Sequence, residues 1–206
     1  MKNKDNEDQK EQPHSIEVET RALITRERSS KIEHSLVDIG AEMISSEKIE
    51  DSHFCPKHIK AFSEIEMNDV GSYGLRVRRV TTTAGSKSNI NVKVLTRPND
   101  HSSWRELETS IGSWESICQI LEIIGFKSFF SVSKDRKTYT LDNFTIVIDG
   151  IPDFGTVIEV EQMVTESQVD KAKKGTRNLL YRIGISEDEI LTTSVPRILM
   201  QRFAKF

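Results

Sequence analysis

The chain has 206 residues, 36% hydrophobic and 30% charged, with 29 Lys and Arg nearly balancing 32 Asp and Glu. That is enough for one good-sized core, and the charge sum by itself selects no partner. No run of about 18 apolar residues occurs, which excludes a conventional membrane-spanning helix, and the polar amino terminus lacks the apolar stretch of a secretory signal, so a cytoplasmic protein is expected.

Taken in order, residues 1–15 carry almost nothing apolar and are expected to be a disordered charged tail ahead of one domain over 16–206. Ile16–Ile24 reads as a strand. Residues 26–39 place Ile32, Leu36, Val37 and Ile39 at helical spacing before Gly40, the pattern of an amphipathic helix with a glycine stop. Residues 41–54 read as extended and 55–70 as a loop, with His53 and His58 flanking its start. Strands are predicted over Tyr73–Thr82, 89–96 and 104–111, separated by turn chemistry at Gly85 and at Pro98-Asn99-Asp100. Ser113 is placed to cap a helix ending at Gly125. Strands over 129–132, 137–141, 144–149 and 156–162 follow, then helices over 167–183 and Val195–Phe203. About eight strands, antiparallel in character, and four helices predict an α+β fold whose large sheet is curled or closed on itself. Cys55 and Cys118 lack CxxC or histidine spacing and are expected as free thiols.

The ionisable residues repeat with period two inside the strands. Glu17, Glu19 and Arg21 share a face of the first strand. Arg76 and Arg78 alternate with Leu75 and Val77, Lys93 sits between Val92 and Val94, and Glu106 and Glu108 flank Leu107. Lys134 and Arg136 share a face, as do Glu159 and Glu161. For one strand, a charged side facing water explains this. Six strands that separate Glu pairs from Arg and Lys pairs point instead to a closed sheet with a charged interior, whose carboxylates suit Mg²⁺ or Mn²⁺ and whose guanidinium and ammonium groups suit phosphate oxygens.

In this order the motifs resemble the CYTH superfamily, the triphosphate tunnel metalloenzymes: the opening Glu-x-Glu-x-basic strand, Leu75-Arg76-Val77-Arg78, Val92-Lys93-Val94, Glu106-x-Glu108, Lys134-x-Arg136, Asp149 and Glu159-x-Glu161. The run from Lys134 to Glu161 looks most like the class IV adenylyl cyclase branch. The resemblance implies an eight-stranded antiparallel β-barrel with flanking α-helices, a nucleoside triphosphate or other triphosphate threaded through it, and Mg²⁺ or Mn²⁺. It implies a metal side of Glu17, Glu19, Glu159 and Glu161 with Asp149 near them, and a triphosphate clamp of Arg76, Arg78, Lys93, Lys134 and Arg136. Glu19, Arg21 and Lys134 would be the catalytic set, with Glu106 and Glu108 as further tunnel acids.

Two positions depart from the pattern. Arg21 stands where relatives usually have lysine, and its permanent charge rules out a role as a neutral amine. Trp104 stands two before Glu106, where relatives place a basic residue, and a bulge would be needed to turn Arg105 inward. Three activities stay open at this point: cyclisation of ATP to cyclic AMP and pyrophosphate, hydrolysis of tripolyphosphate, thiamine triphosphate or a nucleoside triphosphate, and polyphosphate binding without turnover. Tyr139 reads as packing. The basic run Lys171, Lys173, Lys174 and Arg177 reads as a solvated helix face rather than a nucleic-acid site. A homodimer is an expectation from the antiparallel sheet.

Overall fold

Strand pairing closes the chain into a barrel. A computed structural model describes residues 16–65 and 67–204, and the tail expected over 1–15 lies outside them. The elements run β1 (Ile16–Ile24), α1 (Arg26–Asp38), β2 (Glu42–Pro56), β3 (Tyr73–Thr82), β4 (Gly85–Leu95), β5 (Ser103–Ile111), α2 (Trp114–Ile123), β6 (Phe126–Leu141), β7 (Phe144–Ile151), β8 (Gly155–Val164), α3 (Val169–Arg182), β9 (Ile190–Leu191) and α4 (Val195–Phe203). The sheet order is β5-β4-β3-β2-β6-β7-β8-β1-β9, and β5 also pairs with β1. That extra pairing, Glu17 opposite Trp104 and Val18 opposite Ser103, joins eight antiparallel strands into a ring and removes the edges an open sheet would expose. The rest of the β1 edge takes β9, with Arg21 opposite Leu191.

Alternation along each strand decides what faces in and what faces out. On β1, Val18, Thr20 and Ala22 point outward, and Thr20 Oγ1 lies 2.6 Å from Thr176 Oγ1 of α3. Ile146, Ile148, Ile158 and Val160, outward on β7 and β8, pack with Ile32 and Leu36 of α1 and Leu179 and Leu180 of α3. Burying each such aliphatic side chain contributes about 1.5–3 kcal/mol. On the opposite wall Leu121 of α2 covers Phe54, Leu75 and Val77. Ser113 Oγ accepts the Ser116 N–H at 3.1 Å and starts that helix, a cap worth about 1 kcal/mol. Gly125 ends it at φ 100°, a conformation that costs any side chain with a Cβ.

α4 does not lie on the outside. Reached through β9, it packs Val195, Leu199 and Met200 against Cys55, Phe129, Phe130, Ile151 and Val157, closing one end of the barrel with an apolar stopper.

Several sequence expectations are corrected here. Residues 126–141 form one strand rather than two, because β2 supplies an equally long partner and its ladder carries the polar stretch 133–136. β2 extends through Cys55 and Pro56, so those residues are strand rather than loop. His53 is consequently buried in the wall, while His58 is exposed. β4 begins at Gly85, joined to β3 by a turn that ends at a glycine with φ 131°. Arg105 pairs with Val94 in a regular register and is exposed, so no bulge turns it inward. Tyr139 is packing: it sits in the core, with its hydroxyl 3.2 Å from Glu33.

Candidate active site

Because the helices cover the outward faces, the alternate side chains converge inside the barrel around a cavity of about 470 Å³. The charged residues at and around it divide into two regions of opposite character.

The first is acidic. Glu17 and Glu19 come from β1 and Glu161 from β8, and each offers an oxygen within 4.8 Å of the others. The register makes this unavoidable: Glu19 and Glu161 are direct cross-strand partners, and like charges in that position repel. Lys93 Nζ donates to Glu17 Oε1 at 2.6 Å and lies 3.6 Å from Glu19 and 3.3 Å from Glu106. One ammonium does not neutralise four carboxylates. Burial pushes the Glu17 carboxyl up to about 8, Lys93 offsetting only part of this, and its proton is held toward Glu106. Burial acts on Glu106 too, but the Glu17 hydrogen bond and the charges of Lys93 and Arg76 outweigh it and bring that carboxyl to about 2. Burial and the neighbouring Glu159 push Glu161 up. The cluster thus gathers more carboxylates than Lys93 and Arg21 offset. Three hard carboxylate donors in this arrangement fit Mg²⁺ or Mn²⁺.

The second region is basic. Asp51 of β2 takes a bidentate pair from Arg78, Nε to Oδ1 and Nη2 to Oδ2, both at 2.7 Å. Asp149 of β7 takes the same from Arg136 at 2.7 Å, plus Lys134 Nζ at 2.6 Å. Arg76 is left with loose contacts, 3.8 Å to Asp51 and 3.6 Å to Glu106, and its buried Nε has no hydrogen-bond partner among the described residues. Four cations share two aspartates. Burial opposes ionisation of both, yet Arg76 and Arg78 hold Asp51 well below the ordinary carboxylate range, and Lys134 and Arg136 bring Asp149 to about 2. Burial and the adjacent Arg136 push Lys134 down, and burial brings His53 to about 4, so that ring is neutral. Here the shortage is of anions, and an unpartnered buried guanidinium N–H is costly until an oxygen meets it.

Arg21, 3% exposed, lies between the regions: it pairs with Glu19, sits 3.5 Å from Glu159, and donates to the His101 carbonyl at 2.9 Å.

The structure thus brings together Glu17, Glu19 and Glu161 as candidate metal ligands, and Arg76, Arg78, Lys134 and Arg136 as a cationic wall. It places Lys93 among the acids and Asp149 among the cations, because Asp149 is the direct β6–β7 partner of Arg136. Glu159 stands between Arg21 and Arg136, 3.8 Å from the latter. Glu106 belongs to the acidic cluster, while Glu108, two residues further out, is exposed. Asp51 and Asn91 escaped the reading of the sequence, and His53, placed there at the start of a loop, is buried in the wall. Asp51 lies between Glu50 and Ser52, which hides its alternation, while Asn91, between Ile90 and Val92, alternates cleanly but carries no charge to single it out.

The family model for the CYTH domain matches residues 15–194. Among solved structures, the PH1819 protein of Pyrococcus horikoshii superposes with a TM-score of 0.76 at 20% identity, covering 91% of this chain and 99% of that one. A candidate adenylate cyclase of Vibrio parahaemolyticus gives 0.73 at 19%, covering 89% and 97%. HpAC1 of Hippeastrum, a candidate adenylyl cyclase described with a dominant triphosphatase activity, gives 0.58 at 16%, covering 91% and 95%. No curated protein matches the sequence.

Proposed function

From the chain's membership of the CYTH domain family, we propose that it is a divalent-metal-dependent enzyme acting on a triphosphate inside the barrel, with cyclisation of ATP to cyclic AMP and pyrophosphate as the first reading. The observation that carries it is a pair of opposite imbalances in the barrel: a carboxylate trio only partly offset by Lys93 and Arg21, and four cations that share two aspartates, with Glu19, Arg76, Lys134 and Arg136 lining one cavity. A metal-escorted polyphosphate answers both.

Glu17, Glu19 and Glu161 would hold Mg²⁺ or Mn²⁺, which when bound withdraws charge from the phosphate oxygens and lowers the pKa of a nearby hydroxyl. Arg76, Arg78, Lys134 and Arg136 orient the phosphates and stabilise charge on the departing pyrophosphate, while Lys93 offsets part of the charge of the acids. Arg21 holds Glu19 in place. In the cyclase reading the ribose 3′-oxygen bonds to the α-phosphorus, the bond from that phosphorus to the bridging oxygen breaks, and the hydroxyl proton passes to Glu19.

Hydrolysis is the second reading. It uses the same groups, because Glu19 lines the cavity with Arg76, Lys134 and Arg136 and would accept a proton from water as from a ribose hydroxyl. Incubation with ATP, tripolyphosphate and thiamine triphosphate in Mg²⁺ or Mn²⁺ separates the readings: cyclic AMP supports the first and free phosphate the second. Binding without either product makes the protein a polyphosphate carrier and overturns both.

A further inference from the structure

The cavity is not charged along its whole length. Beyond Arg76 and Lys134 its lining turns apolar, with Val132 and Ile151 of the barrel facing Val195, Leu199 and Met200 of α4. A string of phosphates gains nothing from such a wall, because burying charge against hydrocarbon costs free energy that no contact there returns. Two aromatic groups stand where the charged and apolar parts meet. His53 is buried with its ring 5.4 Å from that of Phe130, and it is neutral. Trp104 is 3% exposed and lines the cavity, and its indole Nε1–H is buried without a hydrogen-bond partner. A buried indole usually finds an acceptor. The adjacent His101 ring, 5.9 Å away between centroids, does not supply one: its buried Nδ1 is likewise without a partner among the described residues.

We infer that this compartment holds the organic end of the substrate, a flat uncharged heteroaromatic group of nucleobase type whose ring nitrogen or carbonyl accepts the Trp104 Nε1–H, so that the chain selects organic triphosphates over inorganic tripolyphosphate. The inference rests on the triphosphate reading above and sharpens it. Trp104 is a specificity residue: it lines the same cavity as Leu199 and Met200, and its N–H supplies a directional contact.

The test uses the full-length protein with Mg²⁺. The chain has two tryptophans, so a ¹⁵N spectrum holds two indole signals, and Trp114→Phe identifies which is which. ATP is expected to move the Trp104 indole signal downfield, while tripolyphosphate leaves it in place. By calorimetry, Trp104→Phe, which keeps a ring and deletes the donor, is expected to lower the preference for ATP over tripolyphosphate, taken as a ratio of Kd values, by about tenfold. The inference is overturned if both ligands move the signal alike, if ATP binds without moving it, or if Trp104→Phe leaves the ratio unchanged. Those outcomes spare the triphosphate reading. If neither ATP nor tripolyphosphate binds the wild-type chain, the triphosphate reading falls and takes this inference with it. Should Trp104→Phe not fold, the wild-type indole signal still decides.

Discussion

The acidic and basic regions of the barrel solve the same problem, charge buried away from water, in opposite ways. Around Asp51 and Asp149 each carboxylate takes one short bidentate arginine and lies near at least one further cation, and the acids stay ionised below the usual range. Around Glu17 the acids outnumber their lone lysine, and one carboxyl keeps its proton to about 8. The basic region therefore pairs its charges within the chain, whereas the acidic region holds like charges together. Under the proposed function, a cation bound by Glu17, Glu19 and Glu161 would displace a proton, which would make cation binding the pH-sensitive step.

The sharpest break in this contrast is expected at the acidic end. Glu161→Gln removes one of three clustered donors, and metal-dependent turnover should fall more than about a hundredfold with the fold intact by circular dichroism. Glu159→Gln should cost less, because that residue faces Arg21 and Arg136 rather than the trio. Equal losses would move Glu159 into the metal site. At the basic end the expected effect is on stability. Asp51→Asn leaves Arg76, Arg78 and Lys134 short of a buried counter-charge and should lower the urea unfolding free energy by about 3–5 kcal/mol. Added tripolyphosphate should restore part of that loss.

The pH dependence separates the regions without mutation. The Glu17 carboxyl is raised by folding, so its contribution is fully present below the unfolded value of 4.5 and is lost as pH climbs through about 8. The metal-free protein should therefore lose stability across that window, and Mn²⁺ affinity should rise about tenfold per pH unit before levelling near pH 8. Asp149 runs the other way. Its depressed carboxyl contributes above 3.8, and that contribution is lost as pH falls toward about 2. A flat Mn²⁺ affinity between pH 6 and 8 would remove the shared proton from the account. The smallest effect is expected for Glu108→Gln, which alters an exposed residue and should leave turnover within about twofold.

Ile120 and Ile123 of α2 and the adjoining Ile124 are exposed, and sedimentation of the wild-type chain beside Ile123→Glu tests whether the expected homodimer uses them. A concentration-dependent dimer lost in the variant supports it, and a monomer in both ends it.

Local sequence determined a good deal by itself. Period-two alternation put Glu17, Glu19 and Arg21 on one face, and Arg76 and Arg78 on another, because a strand allows no other arrangement. Ser113 and Gly125 bounded α2 through backbone chemistry confined to one turn. What alternation cannot specify is which inward residue meets which. That Asp149 answers Arg136, that Asp51 gathers three cations, that His53 lies in a wall rather than a loop, and that α4 stops one end were decided by register and closure between segments distant in sequence. The strand pattern of one segment carries no record of its partner's offset, so the assembled barrel alone converts a list of charged faces into one deficit of cations and one of anions.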